Sequence, residues 1–274
     1  IMVFALNSNL FAQQTISVID LTKDLKNSNL VIIAAGPEAE YNKAHITGSI
    51  SLPYNAFNKT GEIEGLLVSD AEMAKILGEK GISEKNTIVV YDEFDSRYAA
   101  RIYSLLKYLG AKDVKILDGG LEAWKRGRKP ITRNPSNLSK ATFKASPDKS
   151  LMVGMQDAIA AGPKADAVLI DTRSPGEFQG KEQESKGRIN GAINIEYKEL
   201  LTDNGMLKSK AELEKVYAAK GVTKDKEIVL YCSSGVRTGL HHLVLRDMLG
   251  FPKVKIYDGG YNEAVAKSPD RIVK

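Results

Sequence analysis

The sequence predicts an α/β protein made of two tandem copies of one domain, each a mainly parallel sheet flanked by helices. Two observations support this prediction. Segments of the chain recur at a fixed offset of 140 residues, which indicates a duplicated domain. Within each copy, short apolar runs alternate with helical patterns, and such an order is typical of a mainly parallel sheet.

The repeat keeps one register over 56 positions. Residues 65–72 (GLLVSDAE) recur as 205–212 (GMLKSKAE), and residues 114–120 (VKILDGG) recur as 254–260 (VKIYDGG). The match continues upstream, but the second copy carries an insertion over residues 180–187 that the first copy lacks. A match of this length does not arise by chance, so we expect one fold to occur twice.

The repeat sets the expected domains at residues 15–128 and 151–274. Residues 129–150 lie between them, are rich in Lys, Ser, Asn and Pro, and show little periodicity, so we interpret them as a linker. A chain of 274 residues is long enough for two ordinary domains, and its 43% hydrophobic content is sufficient for a core in each.

The second copy shows the predicted elements most clearly. Residues 167–171 and 227–231 are short apolar runs that end in loops, as buried parallel strands do. A capping-box pattern that starts at Ser209 predicts a helix from there to Ala219. A further helix is predicted over residues 238–249, because its apolar residues share one side and a glycine follows.

Charge is spread thinly along the chain. The 39 Lys and Arg residues and the 34 Asp and Glu residues give a net charge of +5, and no dense basic run contains interleaved aromatic side chains. We therefore expect no nucleic-acid partner, whereas the mild positive field favours small anionic substrates. No apolar segment approaches the length of a transmembrane helix, so no membrane partner is predicted.

The first residues are mostly apolar and become polar after Phe11 and Ala12. Residues 1–12 resemble the end of a signal peptide with a small residue at its cleavage point, which predicts a periplasmic or secreted protein. The alternative is a short first strand or a disordered terminus in a cytoplasmic protein.

Cys232 is the single cysteine of the sequence, which excludes an internal disulfide and any zinc site built on several thiolates. The three histidines, His45, His241 and His242, are too few and too scattered for a metal cluster. We therefore expect no metal and no other cofactor. Cys232 itself is either a small buried hydrophobe or a reactive group.

The surroundings of Cys232 favour a reactive group. It follows a predicted strand directly, and parallel sheets bind ligands at the carboxyl ends of their strands. The loop that separates it from Arg237 consists of Ser233, Ser234, Gly235 and Val236. Loop N–H groups, the N-terminus of the next helix and Arg237 all favour the thiolate and an anionic ligand. Gly235 allows a tight turn, and we expect the two serines to leave the sulfur accessible.

The first copy provides an internal control. At the same offset Cys232 corresponds to Asp92, and Arg237 corresponds to Arg97. Residues 233–235 correspond to Glu93, Phe94 and Asp95. The first copy therefore lacks both the nucleophile and the glycine, and its acids would repel an anion. We expect the second copy to be catalytic and the first to be structural.

Four segments of the second copy carry a family resemblance: DTRSPGEF at 171–178, GRINGAIN at 187–194, CSSGVR at 232–237 and YDGG at 257–260. Together they resemble the rhodanese family of sulfurtransferases in its tandem two-domain form. The resemblance implies that Cys232 takes the outer sulfur of thiosulfate or a related donor as a persulfide. It also implies that cyanide or a thiol then accepts this sulfur.

The loop departs from family members that are specialised for one donor. Thiosulfate-specific members often carry basic residues where this chain has Ser233 and Ser234, and mercaptopyruvate-specific members often carry Gly-Ser-Gly-Val-Thr after the cysteine. Arg237 favours thiosulfate, and 3-mercaptopyruvate is the alternative donor.

A second donor-binding basic residue has no clear match to the family pattern. The candidates are Arg188, Lys186 and Arg173, and Arg173 suits a salt bridge within the domain equally well. The insertion over 180–187 either forms part of the site's rim or is an exposed loop.

Four polar residues near these motifs are given no chemical role. We expect Asp171 and Asp258 to hold loops through backbone hydrogen bonds. We expect His241 and His242 to face the domain interface or solvent.

Two further functions fit the same loop. Cysteine phosphatases place five residues between cysteine and arginine, whereas four lie between Cys232 and Arg237, and the shorter loop suits a sulfur atom better than a phosphate. A persulfide carrier without turnover of its own is the other possibility. Because the two copies could bury their shared face within one chain, we expect a monomer.

Overall fold

A computed structural model describes residues 14–182 and 184–274. The signal-peptide prediction for residues 1–12 lies outside the described residues. No helix in the described part is long and apolar enough to cross a membrane.

The first domain is built on a five-stranded parallel sheet. Its strands are β1 (Thr15–Ile16), β2 (Leu30–Ala34), β3 (His45–Ile46), β4 (Ile50–Ser51), β5 (Thr87–Tyr91), β6 (Asp113–Leu117) and β7 (Ile131–Thr132). The parallel sheet has the order β1-β6-β5-β2-β4, and β3 pairs antiparallel with β7. The flanking helices are α1 (Val18–Asp24), α2 (Glu38–Lys43), α3 (Asp70–Glu79), α4 (Arg97–Tyr108) and α5 (Gly120–Arg126).

The second domain repeats this topology. Its strands are β8 (Met152–Val153), β9 (Ala167–Asp171), β10 (Arg188–Ile189), β11 (Ile193–Asn194), β12 (Glu227–Tyr231), β13 (Val254–Tyr257) and β14 (Ile272–Val273). The parallel sheet has the order β11-β9-β12-β13-β8, and β10 pairs antiparallel with β14. Its helices are α6 (Met155–Ala161), α7 (Pro175–Phe178), α8 (Lys210–Ala218), α9 (Thr238–His242) and α10 (Gly260–Lys267). The α/β prediction with two parallel sheets is confirmed.

The local signals act as expected. Apart from Asp171 at the end of β9 and Glu227 at the start of β12, both strands are apolar, because both sheet faces are covered, as in other parallel sheets. The Ser209 hydroxyl caps α8, and the Glu212 carboxylate completes the capping box. The helix predicted over 238–249 is α9 followed by a π-helical segment, Leu243–Met248, which widens the helix where the first copy stays α-helical.

The two domains pack with approximate two-fold symmetry. Gly65 lies against Ser234, and at the offset of 140 Gly205 lies against Phe94. One apolar cluster runs through both domains and includes buried residues of α4 and α9. The loop that carries Cys232 and the equivalent loop of the first copy therefore each face the other domain.

Residues 129–150 lie along the first domain. The Ala141 N–H donates to Gly78 O at 2.9 Å, and the Lys144 N–H donates to a Glu84 carboxylate oxygen at 2.8 Å. Phe143 is buried in the shared core. Apart from β7, this segment up to Asp148 has no helix or strand, and it is anchored to the first domain before the second begins.

Candidate active site

Cys232 lies immediately after β12, at the carboxyl end of the second parallel sheet. The loop 232–237 then leads into α9. Cys232 is only 1% exposed. The expectation that small neighbours leave the sulfur accessible is therefore not met, because the loop and its neighbours pack closely around it.

Backbone N–H groups of α10 donate hydrogen bonds to two carbonyl groups of this loop. The first two residues of α10 after Gly260 donate to it: the Tyr261 N–H to Cys232 O at 2.8 Å, and the Asn262 N–H to Ser233 O at 3.1 Å. A Cβ atom at Gly260 would lie 2.4 Å from Cys232 O, so the close approach of α10 requires a glycine there. This contact explains the repeated Asp-Gly-Gly motif.

The loop N–H groups point the other way. All peptide bonds of the described chain are trans, and a trans peptide directs its N–H opposite to its C=O. The N–H groups of Ser233 and Ser234 therefore face away from α10. On the sulfur side, the Arg237 N–H donates to Cys232 Sγ at 3.4 Å. One backbone N–H therefore reaches the sulfur, and the N–H groups of the two serines lie on the side of the loop opposite α10, as an anion nest requires.

Gly235 makes the turn of the loop possible. Its φ of 75° lies in the left-handed region, which a side chain would strain. Its carbonyl oxygen accepts a hydrogen bond from Thr238 Oγ1 at 2.7 Å. Because the Gly235–Val236 peptide is trans, the Val236 N–H points in the direction opposite to the Gly235 carbonyl.

The Arg237 side chain is paired with Glu177. Its Nη1 lies 2.5 Å from Glu177 Oε2, and its Nη2 lies 2.8 Å from Glu177 Oε1. The same Nη2 donates to Ser233 Oγ at 2.8 Å. Burial opposes ionisation of Glu177, but the hydrogen bonds and charge of Arg237 outweigh it and lower the pKa of Glu177 to about 2. An anionic ligand must therefore compete with this carboxylate for Arg237.

Arg173 is buried and forms a salt bridge within its own domain. Its Nη2 lies 2.7 Å from Asp171 Oδ2 and donates to Gly187 O at 2.8 Å. Its guanidinium group stacks on the Tyr261 ring at 3.8 Å from the ring centre. The structure therefore shows the intradomain salt bridge, and it also places Arg173 on the wall of a pocket that borders Ser233.

Lys186 and Arg188 lie at the end of the insertion. Arg188 stacks over the Phe178 ring at 4.7 Å. The Lys186 side chain is exposed, and its backbone N–H donates to the Tyr261 hydroxyl at 2.7 Å. Neither side chain lines the pocket that opens beside Ser233.

A pocket of about 480 Å³ opens beside Ser233. Four acidic residues line it: Glu64, Glu177, Glu182 and Glu184. Two of them belong to the insertion, so this segment does form part of the rim. Glu64 comes from the first domain, and sequence reasoning missed it because only the packing of the domains brings it here. Among the described lining residues the one basic side chain is Arg173, which is paired with Asp171, so the pocket wall is predominantly acidic.

The remaining polar candidates have structural positions. Asp171 accepts the Arg173 N–H at 3.0 Å, as expected for a loop-holding residue. His241 bonds the Tyr217 hydroxyl and His242 bonds Ser104 across the domain interface. Burial lowers the pKa of both histidines to about 3, so they are neutral and supply no charge to the site.

The sequence analysis did not identify Arg101 of α4. It is buried in the first domain, yet its Nη1 lies 2.5 Å from Asp258 Oδ1 and 3.2 Å from Gly235 O in the second. No motif marks this residue. The repeat gives no signal either, because its counterpart in the second copy is a histidine, His241.

A family model described as the rhodanese-like domain matches residues 17–127 and again residues 155–267. The chain belongs to the rhodanese family. It therefore holds two rhodanese domains in tandem, and the recognition made from the sequence is confirmed.

Full-length relatives agree with this assignment. The chain is 32% identical over 233 residues to a Mycobacterium bovis protein provisionally named thiosulfate sulfurtransferase 1, which covers 81% of this chain and 83% of that protein. It is 30% identical over 236 residues to the thiosulfate sulfurtransferase of Gallus gallus, over 84% of this chain and 81% of that one.

A solved rhodanese structure has the same arrangement. The 3-mercaptopyruvate sulfurtransferase SseA of Escherichia coli superposes with a TM-score of 0.84 at 28% identity, over 91% of this chain and 99% of SseA. These relatives support a sulfurtransferase of the rhodanese class.

Proposed function

We propose that this rhodanese transfers a sulfane sulfur from thiosulfate, or a related anionic donor, to cyanide or a thiol through a persulfide on Cys232. The observation that carries this proposal is the loop that turns its carbonyls to α10 and donates the Arg237 N–H to Cys232 Sγ at 3.4 Å. Such a nest stabilises a sulfur anion both before and after the transfer.

The reaction proceeds in two displacements. The Cys232 thiolate attacks the outer sulfur of thiosulfate, the sulfur–sulfur bond of the donor breaks, and its electron pair leaves with sulfite. The enzyme then carries a Cys232 persulfide anion. The acceptor attacks the outer sulfur of this persulfide, the electron pair returns to the cysteine, and thiocyanate or a new persulfide leaves.

Arg237 has two partners in this cycle. In the unliganded site it is held by Glu177 and Ser233. Because Cys232 is 1% exposed, we expect the donor to reach the sulfur only when this network opens. The sulfonate end of the donor then replaces the Glu177 carboxylate on Arg237, as charge-assisted pairing favours.

The alternative donor is 3-mercaptopyruvate. Small hydroxyl residues, Ser233 and Ser234, follow the cysteine in place of basic ones. The similarity to SseA over nearly all of that protein supports this donor as well. The acidic rim repels both anionic donors, and it repels thiosulfate, with two charges, more strongly than 3-mercaptopyruvate, with one carboxylate, so this feature favours the alternative donor.

We also propose a monomer that needs neither nucleic acid nor membrane partner and contains no cofactor. The continuous apolar cluster between the domains supports the monomer, since each copy covers the face that the other leaves open. From the signal-like composition of residues 1–12 we propose that the protein is periplasmic or secreted.

Steady-state kinetics with thiosulfate and 3-mercaptopyruvate side by side, with cyanide as acceptor, test the proposal. Intact-mass measurement after thiosulfate treatment should show a sulfur adduct of about 32 Da. The control variant Cys232→Ser should lose both turnover and adduct. An adduct without turnover would instead indicate a carrier, and phosphate-ester hydrolysis without an adduct would indicate a phosphatase.

A further inference from the structure

Arg101 is a charged side chain of the first domain that forms a hydrogen bond to the Cys232 loop. It lies on α4, is 2% exposed, and extends its guanidinium group into the second domain. There Nη1 contacts Gly235 O at 3.2 Å and Asp258 Oδ1 at 2.5 Å. Its Nη2 lies 3.4 Å from Gly65 O of its own domain. One residue thus ties the first domain, the catalytic loop and the motif before α10 together.

The contact falls on the most adaptable peptide of the loop. Gly235 has a φ of 75°, and a glycine can adopt other backbone conformations without a steric penalty. Rotation of the Gly235–Val236 peptide would exchange its C=O and N–H, because the two groups point in opposite directions. The rotation would turn the Gly235 carbonyl oxygen away from Arg101 and Thr238 and into the loop, where it would repel a thiolate or a persulfide anion.

Two donors oppose such a rotation. One is Thr238 Oγ1, at 2.7 Å from Gly235 O, which belongs to the same turn and moves with it. The other is Arg101, which is anchored in a different domain. The donor that can hold the orientation of this peptide without moving with it therefore lies in the first domain.

We infer that Arg101 is a positioning residue for the sulfur transfer: it holds the Gly235–Val236 peptide in the orientation that keeps N–H groups on the side of Cys232. This inference rests on the proposed function. It assigns to the first domain a direct part in the chemistry of the second, through one buried guanidinium group.

The first domain contacts the loop of the second through Arg101, but the second domain has no equivalent arginine at the position that corresponds to Arg101. The counterpart of Arg101 in the second copy is His241, whose Nδ1 is bound to the Tyr217 hydroxyl at 2.9 Å. The counterpart of Asp258 is Asp118, which accepts the Leu207 N–H at 2.9 Å. Within the described residues, the loop of the first copy therefore receives no charged contact of this kind from the second domain.

Two variants test the inference. Arg101→Lys keeps the charge opposite Asp258 but replaces the planar fork by a single donor atom. The double variant Arg101→Met with Asp258→Asn removes both charges, so that it leaves no unpaired buried charge. Tyr103→Phe is the matched control, because it lies on the same helix and deletes a 2.8 Å bond to Asp247 across the same interface without touching the loop.

The readouts are the pH profile of Cys232 alkylation by iodoacetamide and kcat/KM for thiosulfate, both on the full chain. In both Arg101 variants we expect the half-maximal alkylation rate at a higher pH and a loss of kcat/KM of about tenfold or more, typical of a displaced anion-stabilising donor. Tyr103→Phe should leave both within twofold of the wild type.

An unchanged alkylation profile in a folded Arg101→Lys or double variant would overturn the inference. If the wild type forms no persulfide, the proposed function fails, but the alkylation profiles still decide whether Arg101 controls the thiol. The two failures are therefore distinguishable.

Discussion

The loops after β5 and β12 occupy equivalent places in the two copies, but they use their N–H groups differently. In the first copy the Asp92 carboxylate accepts three backbone N–H groups at 2.9 to 3.2 Å, those of Ser96, Tyr98 and Ala99. In the second copy Cys232 Sγ accepts the Arg237 N–H at 3.4 Å. In the first loop the protein's own carboxylate accepts the backbone N–H groups, whereas in the second loop the Cys232 thiol takes the place of that carboxylate.

The pKa of Asp92 shows how strongly burial in such a loop opposes a negative charge. Asp92 is buried, and this burial raises its pKa to about 7, with a smaller contribution from Asp95, although backbone N–H groups act in the opposite direction. Backbone donors alone therefore do not fully stabilise a buried charge. In the second copy Arg237 adds a guanidinium group that is 20% exposed, whereas Arg97 in the first copy is 39% exposed.

The largest effect is expected when the thiol is moved from one loop to the other. Asp92→Cys in a Cys232→Ser background should show sulfur transfer about 1,000-fold or more below the wild type, since the first loop lacks both the glycine turn and a counterpart of Arg101. Thiosulfate–cyanide kinetics and intact mass measure this. Activity within tenfold of the wild type would mean that the cysteine alone distinguishes the two copies.

The glycine turn is the next difference to test. A Cβ atom at Gly235 would lie 2.6 Å from Arg101 Nη1 and 2.8 Å from Asp258 Oδ1, at a φ that side chains rarely adopt. Gly235→Ala should therefore lower kcat/KM about 100-fold and destabilise the fold by about 1–3 kcal/mol.

The matched control for that variant is Asp95→Ala, at the equivalent position of the first copy. Asp95 does not have a positive φ, so no backbone strain is introduced. Its carboxylate bonds the Tyr197 hydroxyl at 2.7 Å, and we expect a loss of about 1 kcal/mol in stability with near-normal turnover. If Gly235→Ala and Asp95→Ala lost equal activity, the left-handed turn at Gly235 would have no specific part in catalysis.

The two arginines provide a third comparison. Arg237→Gln removes the charge that we assign to the donor, so KM for thiosulfate should rise about tenfold. Arg97→Gln removes a half-exposed charge whose nearest acidic partner, Asp95, is 3.7 Å away, and it should leave KM unchanged. A similar KM in both variants would place the donor away from Arg237.

The smallest effect concerns acid stability. The folded-state pKa of Glu177 is lowered to about 2, from 4.5 for an unperturbed glutamate. The stabilisation by its ion pair is therefore complete above pH 4.5 and is lost as the pH falls towards 2. Urea unfolding should show Glu177→Gln less stable by about 1–2 kcal/mol at pH 6, after allowance for solvent screening, and the gap should narrow at pH 3.5.

The first copy again supplies the control. Glu40 corresponds to Glu177 and pairs with an exposed Lys43, so Glu40→Gln should change stability little at either pH. A gap between wild type and Glu177→Gln that widens on acidification would reverse the sign of the proposed linkage.

Local patterns were sufficient for much of the site. Apolar runs followed by loops identified β12, and the strand end identified Cys232, because parallel sheets present their carboxyl ends to ligands. The loop residues Ser233 to Arg237 follow in sequence and are brought to the thiol by the turn itself. For Arg173 the sequence left two roles open, because a guanidinium group serves a salt bridge and a ligand equally well. The tertiary structure shows its salt bridge to Asp171 and its stacking on Tyr261, and it also places Arg173 on the wall of the pocket beside Ser233.

The sequence alone determined the duplicated fold, the copy that carries the thiol and the family, since repeat register, periodicity and motif spacing are all properties of neighbours along the chain. Tertiary structure alone decided that Arg101 and Glu64 of the first domain belong to the site, and that Glu177 holds Arg237. These contacts join residues 60 or more positions apart, across a domain interface or across the sheet. Their geometry follows from how whole elements pack, which no local pattern in the sequence encodes.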